Sequence, residues 1–226
     1  MSGLHYFFFS FYPYLCLTVF VVGCWLRFDR DQYSWQASSS QMLSKKKFRL
    51  ASNLFHLGVL GLLGGHVMGL VVPEWVNEVA GVSPAVHQHI ELIVGGSMGI
   101  AAITGLSLLL FRRFTDLRVS RTGNVSDLAI ALLLWVTLLV GMATLPYSFE
   151  TRDSGVYMHH LNAWAQHVLT FRAGAAATLH GVPWVFQLHM VVGMTIFMVL
   201  PFTRLVHVLS VPVGYLFRRH YQIVRS

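Results

Sequence analysis

The chain has 226 residues, of which 55% are hydrophobic and only 11% charged, with a formal net charge of +7. Soluble domains carry about 25% charged residues, so this composition excludes an ordinary water-facing surface. A basic excess in a soluble protein would point to nucleic acid, but here the basic residues fall in short connections between long apolar segments, which excludes that reading too.

The first apolar segment covers residues 7–26, with Pro13 in its opening turns, where a missing N–H is tolerated. Without a basic start or a small-residue cleavage site, residues 6–26 read as a retained helix and not as a signal peptide. Cys16 and Cys24 lie inside this segment and outside any Cys-x-x-Cys-His motif. They are expected to be small packing residues, not attachment points for a covalent haem. Phe7, Phe8, Phe9, Tyr12 and Tyr14 at its start read as an interfacial aromatic belt.

The second segment covers 51–72 and is closed by Pro73. The third covers 90–111 and is rich in glycine and other small residues that let helices approach closely. The fourth covers 127–145, capped by Ser126 or Asp127 and ended by Pro146. Residues 156–170 then form an amphipathic stretch, with Leu161, Trp164, Ala165 and Val168 on one stripe and His160, Asn162 and Gln166 off it. It is expected to lie on the outer membrane surface. The fifth segment covers 184–209 and is interrupted by Pro201. The predicted fold is an all-α integral membrane protein with five transmembrane helices in a single membrane domain and a tail at 210–226.

Charge orients it. The first connection holds Arg27, Arg30, Lys45, Lys46, Lys47 and Arg49, and the third holds Arg112, Arg113, Arg118 and Arg121. The C-terminal stretch holds Arg204, Arg218, Arg219 and Arg225, leaving only Arg152 and Arg172 elsewhere. By the positive-inside rule the N-terminus is outside and the C-terminus cytoplasmic.

Ionisable residues inside a membrane are costly and functional by default. Apart from Glu91, Asp127 and Arg204 near segment ends, the ionisable side chains in the predicted spans are His56 and His66 on the second and His189 and His207 on the fifth. Imidazoles without carboxylate partners suit axial ligation of haem iron; spacing alone leaves copper or another imidazole-binding metal open. The two helices run antiparallel, which pairs His56 with His207 near the cytoplasmic face and His66 with His189 near the outer face. The pairing has two mismatches. His189 and His207 are about 27 Å apart along a helix against about 15 Å for His56 and His66. His56 and His66 also lie about 80° apart around theirs. The kink at Pro201 and the glycines at 58, 61, 64 and 65 are the features that could absorb these. His87, His89, His159, His160, His167 and His180 fall in outer connections and read as solvated or interfacial.

Three segments go further: YPYLCLTVFVVGCWLRFDRDQYSWQASSSQML, LASNLFHLGVLGLLGGH and QLHMVVGMTIFMVLPFTRLVHVLSVPVGYL. They closely resemble the gamma subunit of membrane-bound respiratory nitrate reductase, and the likeness runs from Tyr12 to Arg225. The resemblance implies a cytochrome b with two haem b groups, in the cytoplasmic (inner) membrane of a bacterium. It implies that His66 and His189 hold the outer haem and His56 and His207 the inner one. It implies oxidation of a membrane quinol, menaquinol or ubiquinol, beside the outer haem near Gly65 and His66. Electrons would pass inward to an iron–sulfur beta subunit and a molybdenum alpha subunit at the cytoplasmic face. Where the family commonly has a quinone-contacting lysine, this chain has His87, in the run VHQH, an imidazole able to donate to a quinone oxygen. Related complexes run in reverse as nitrite oxidoreductases, which leaves the direction of flow open.

Two rivals belong to other classes. One is a non-redox membrane anchor that has kept the fold, which a haem assay separates. The other is a transporter with histidine-lined cavities, against which stands the lack of paired broken helices and repeat symmetry.

Overall fold

The computed structural model describes residues 3–31, 33, 35, 46–122 and 124–210. The tail expected at 210–226 therefore lies, from residue 211 onward, outside the described residues. Among the described residues every regular element is helical. Helices α1 (Gly3–Arg30), α2 (Phe48–Val71), α3 (Ala85–Thr115) and α4 (Val125–Glu150) are followed by the shorter α5 (Val156–Leu169) and then by α6 (Trp184–Phe202). All but α5 are long and apolar enough to cross a membrane, and the chain is an all-α membrane protein.

The prolines act differently at different ends. Before Pro73 the backbone of Val72 turns extended and α2 stops, as the clash of a proline ring with the preceding residue requires. Pro146 instead sits in the first turn of a restarted helix, Leu145–Glu150, after a turn at Ala143 and Thr144. The expected stop there is thus a break within α4, because a first-turn residue has no N–H to lose. After Pro201, Thr203 is extended (φ −123°, ψ 174°), and residues Arg204–Leu209 form a separate short 3₁₀ turn. Residues 184–209 are therefore two pieces and not one interrupted helix.

Packing runs from α2 to α3, α3 to α4, α4 to α6, and α6 to α1. The α2–α3 seam brings backbone against backbone: a Cβ on Gly58 would come within 2.5 Å of the Ala102 nitrogen, and one on Gly105 within 2.4 Å of the Phe55 nitrogen. Only glycine permits that approach. α2 and α6, the two histidine helices, are not packed against each other along their lengths. α2 is also the least covered of the five long helices. The fold thus leaves a gap between the two elements that carry the candidate ligands.

One end of the bundle is closed by protein. Trp164, Ala165 and Val168 of α5 join Phe9, Ala175, Ala176, Leu179, Val182 and Phe186 in a buried cluster. The expected apolar stripe thus faces inward, against the start of α1 and the segment leading into α6. Trp164 donates its indole N–H to the Phe9 carbonyl at 3.0 Å, and Tyr14 donates its hydroxyl to Val168 at 3.1 Å.

Candidate functional site: a histidine pair across the α2–α6 gap

His66 stands near the end of α2, and His189 in the second turn of α6. Their ring centroids are 5.9 Å apart, with the planes tilted by 44°. Two imidazoles ligating one haem iron need about 2 Å from each nitrogen to the metal and about 1 Å more to each ring centre, a separation of about 6 Å. The observed spacing fits. So does the space beside the pair: a Cβ on Gly64 or Gly65 of α2, or on Gly193 one turn beyond His189, would meet nothing within 4 Å. The glycine run of α2 divides accordingly. Gly58 and Gly61 lie against α3, and Gly64 and Gly65 face open space.

The tautomers suit ligation. His66 donates Nδ1–H to the Leu62 carbonyl at 2.7 Å, and His56 donates to the Ser52 carbonyl at 2.7 Å. His207 donates to the Arg204 carbonyl at 2.5 Å. A carbonyl can only accept, so each of these rings keeps the Nε2 lone pair for a metal. His89 makes the same bond, to Ala85 at 2.8 Å, so this pattern prepares a ring for ligation without identifying it as a ligand. His189 differs: its Nδ1 is buried without a well-formed bond. Among the described residues no group of three or more His, Cys, Asp or Glu side chains forms a metal site. A haem asks for two, since the macrocycle supplies the other donors.

The other predicted pair is less assembled. His56 lies on an open apolar face of α2 with Leu50, Leu54, Leu57 and Leu60. His207 sits on the 3₁₀ turn beyond the break after α6. Among the described residues the two rings are not in contact. Arg27 of α1 holds the break by donating to the Pro201 carbonyl at 2.6 Å and to the Thr203 carbonyl at 2.8 Å.

His87 is half-buried and lines a cavity of about 20 Å³ with Gly69, Glu74, Asn77, Val82, Met158, His159 and Asn162. That is room for about one water. Its Nε2 lies 3.8 Å from where a Cβ on Gly69 would stand, so it approaches α2 beyond His66 and not at Gly65. His159, expected to be solvated, pairs with Glu74 at 2.8 Å. His160 donates to Thr178 at 2.8 Å.

Sequence reasoning missed what holds the His66 end. α2 finishes in a wide turn over Val67–Val71, and wide turns also occur at Phe7–Phe11 and Glu91–Gly95, all at this end of the bundle. Such turns disturb the regular ladder and recur at functional sites. The carbonyls left over are capped from α5: Asn162 donates to Gly69 at 2.8 Å and Val72 at 2.9 Å, and Gln166 to Leu70 at 3.1 Å and Val71 at 3.0 Å. The available signal was that 162 and 166 are one helical turn apart, two amides on one face.

The fold and the pair define a class: a helical membrane protein in which imidazoles from two helices face each other across an open gap. Comparison with known proteins narrows it. A model described as the nitrate reductase gamma subunit matches residues 5–226. The chain is 47% identical over 224 residues to the respiratory nitrate reductase 2 gamma chain of Escherichia coli (strain K12), covering 99% of this chain and 97% of that one. It is 46% identical to the respiratory nitrate reductase 1 gamma chain of the same organism, covering 100% and 99%. It is 39% identical to the nitrate reductase gamma chain of Bacillus subtilis (strain 168), covering 92% of each. The chain belongs to the nitrate reductase gamma subunit family.

Proposed function

We propose that this chain is the dihaem cytochrome b subunit of a respiratory nitrate reductase, oxidising membrane quinol at its His66 end and delivering electrons toward its His56 end. The observation that carries the reading is the 5.9 Å separation of the His66 and His189 rings across the α2–α6 gap. A haem bound there supplies a one-electron acceptor for quinol. The chain's own contribution is to hold the two imidazole rings 5.9 Å apart, to leave room for a planar group beside Gly64, Gly65 and Gly193, and to cover that end with α5. His56 and His207 are the ligands of a second haem, which lies against the open apolar face of α2 at His56.

Orientation follows from charge. The His56 end carries the basic connections and faces the cytoplasm; the His66 end faces outward. Quinol oxidised beside His66, toward the Gly69 side of α2, releases its protons on the outer side, with His87, which reaches α2 at Gly69, as a hydrogen-bonding group for the quinol oxygen. The basic connection 27–49 and the tail are the docking surface for iron–sulfur beta and molybdenum alpha subunits, in the inner membrane of a bacterium. Much of that surface, including Tyr215 to Ser226, lies outside the described residues.

The test is an optical redox titration of the purified complex, with the haem count taken as the pyridine haemochrome and with menaquinol and ubiquinol analogues as reductants. Two b-type haems, reduced by quinol and reoxidised by nitrate, are expected. A haem-free chain, or haems that quinol leaves oxidised, would overturn the proposal.

A further inference from the structure

Three of the four candidate ligands orient themselves. His56, His66 and His207 each donate Nδ1–H to a carbonyl three or four residues earlier in their own segment. His189 is the exception, and its surroundings come from another helix. A Cβ on Gly141 of α4 would lie 2.8 Å from His189 Cε1, 3.3 Å from Nδ1 and 3.4 Å from Nε2. The imidazole therefore rests in a notch that exists only because residue 141 has no side chain. The backbone carbonyl of Thr137, one turn earlier on α4, is an acceptor on that helix near the notch, and Nδ1 makes no well-formed bond as the ring stands. A helical carbonyl already bonded within its ladder has a second lone pair to offer.

From this geometry we infer that α4 carries a positioning site for His189, made by the missing side chain of Gly141 and the carbonyl of Thr137, that sets the rotation and tautomer of the ring. The inference rests on the proposed ligation of a haem by His66 and His189 and assigns part of its control to a helix that carries no ligand. With Nε2 on the metal, Nδ1–H must donate, and its own helix provides no bond. A side chain at position 141 would take the space the ring now fills against α4. A hydrogen bond of this kind fixes ring orientation and raises ligand basicity. The properties of the outer haem would then depend on how α4 packs on α6.

The experiment is Gly141→Ala in the intact complex, read by haem count, by the low-spin ferric electron paramagnetic resonance signals and by the midpoint potentials. The added methyl should displace the ring. One haem signal should shift and its potential rise as ligand basicity falls, and haem should be retained about tenfold less tightly; the second haem should stay unchanged. Two unaltered signals in a fully loaded Gly141→Ala complex would overturn the inference. If Gly141→Ala fails to insert, the double variant with His189→Ala decides. Without the imidazole the methyl has nothing to strike, so the double variant should match His189→Ala alone in membrane insertion and in inner haem. If Gly141→Ala is equally harmful on the His189→Ala background, the glycine serves helix packing alone and the inference fails. If His189→Ala keeps both haems, it is the ligation itself that fails, which separates the two ideas.

Discussion

The two ends of the bundle each carry two histidines, in different structural settings. At the His66 end, histidines from two helices meet at 5.9 Å under a packed lid. That lid is tied by side-chain amides to the last carbonyls of α2. At the His56 end, one histidine lies on an open apolar face of α2 and the other sits beyond a chain break, on a turn steadied by Arg27. Among the described residues a small buried cluster of Cys24, Leu200 and Val206 packs there. On the proposed reading, one ligand pair is pre-assembled by protein packing, and the other consists of two prepared rings that the cofactor itself brings into register.

The largest test of that contrast is removal of ligands. Replacing His66 or His189 with Ala should eliminate one of two haems and leave the other, and replacing His56 or His207 should eliminate the opposite one. Haem counts with separate optical bands check this; loss of both haems from each single variant, in inserted protein, would dissolve the distinction between ends. Less drastically, Asn162→Leu removes the donors on the Gly69 and Val72 carbonyls. It should cost about 2 kcal/mol for the two carbonyls left without a donor. In thermal unfolding followed by haem absorbance, the outer haem should be released first. Arg27→Met frees the Pro201 and Thr203 carbonyls and should cost about 1 kcal/mol, with the perturbation confined to the His207 haem. If Arg27→Met disturbs the outer haem instead, the break is not a local support. The smallest effect is expected from His87→Ala. Loss of one hydrogen bond to a quinol oxygen should slow quinol-driven haem reduction about fivefold, with haem content unchanged, and His87→Lys should retain the wild-type rate. A wild-type rate in His87→Ala at limiting quinol would assign the contact elsewhere.

The long helices were legible because the lipid-facing surface imposes one rule on every residue it touches. Apolar runs of sufficient length appear where α1 to α4 and α6 stand, and the antiparallel order of α2 and α6 put His66 opposite His189. The structure brings those two together as the depth argument expected. For His207 the expected kink at Pro201 is a full break, with residues 184–209 in two pieces. The extended residue Thr203 resets the direction of the chain, so distance along a helix stops measuring position. Pro146 was misread for a related reason: a proline ends a helix or opens the next turn depending on where the backbone restarts.

By itself the sequence determined what depends on composition and on periodicity within a single segment. That covers the membrane class, the five spans, the amphipathic character of α5 and the family, since each is written in consecutive residues. Tertiary structure alone decided which groups from distant segments share a space. It placed Asn162 and Gln166 on the carbonyls of α2, Arg27 on the break after α6, and Gly141 against the His189 ring. Amides, an arginine and a glycine are ordinary residues in ordinary positions along the chain. Their roles come from close approach between helices, which is set by how the whole bundle packs and not by any local pattern.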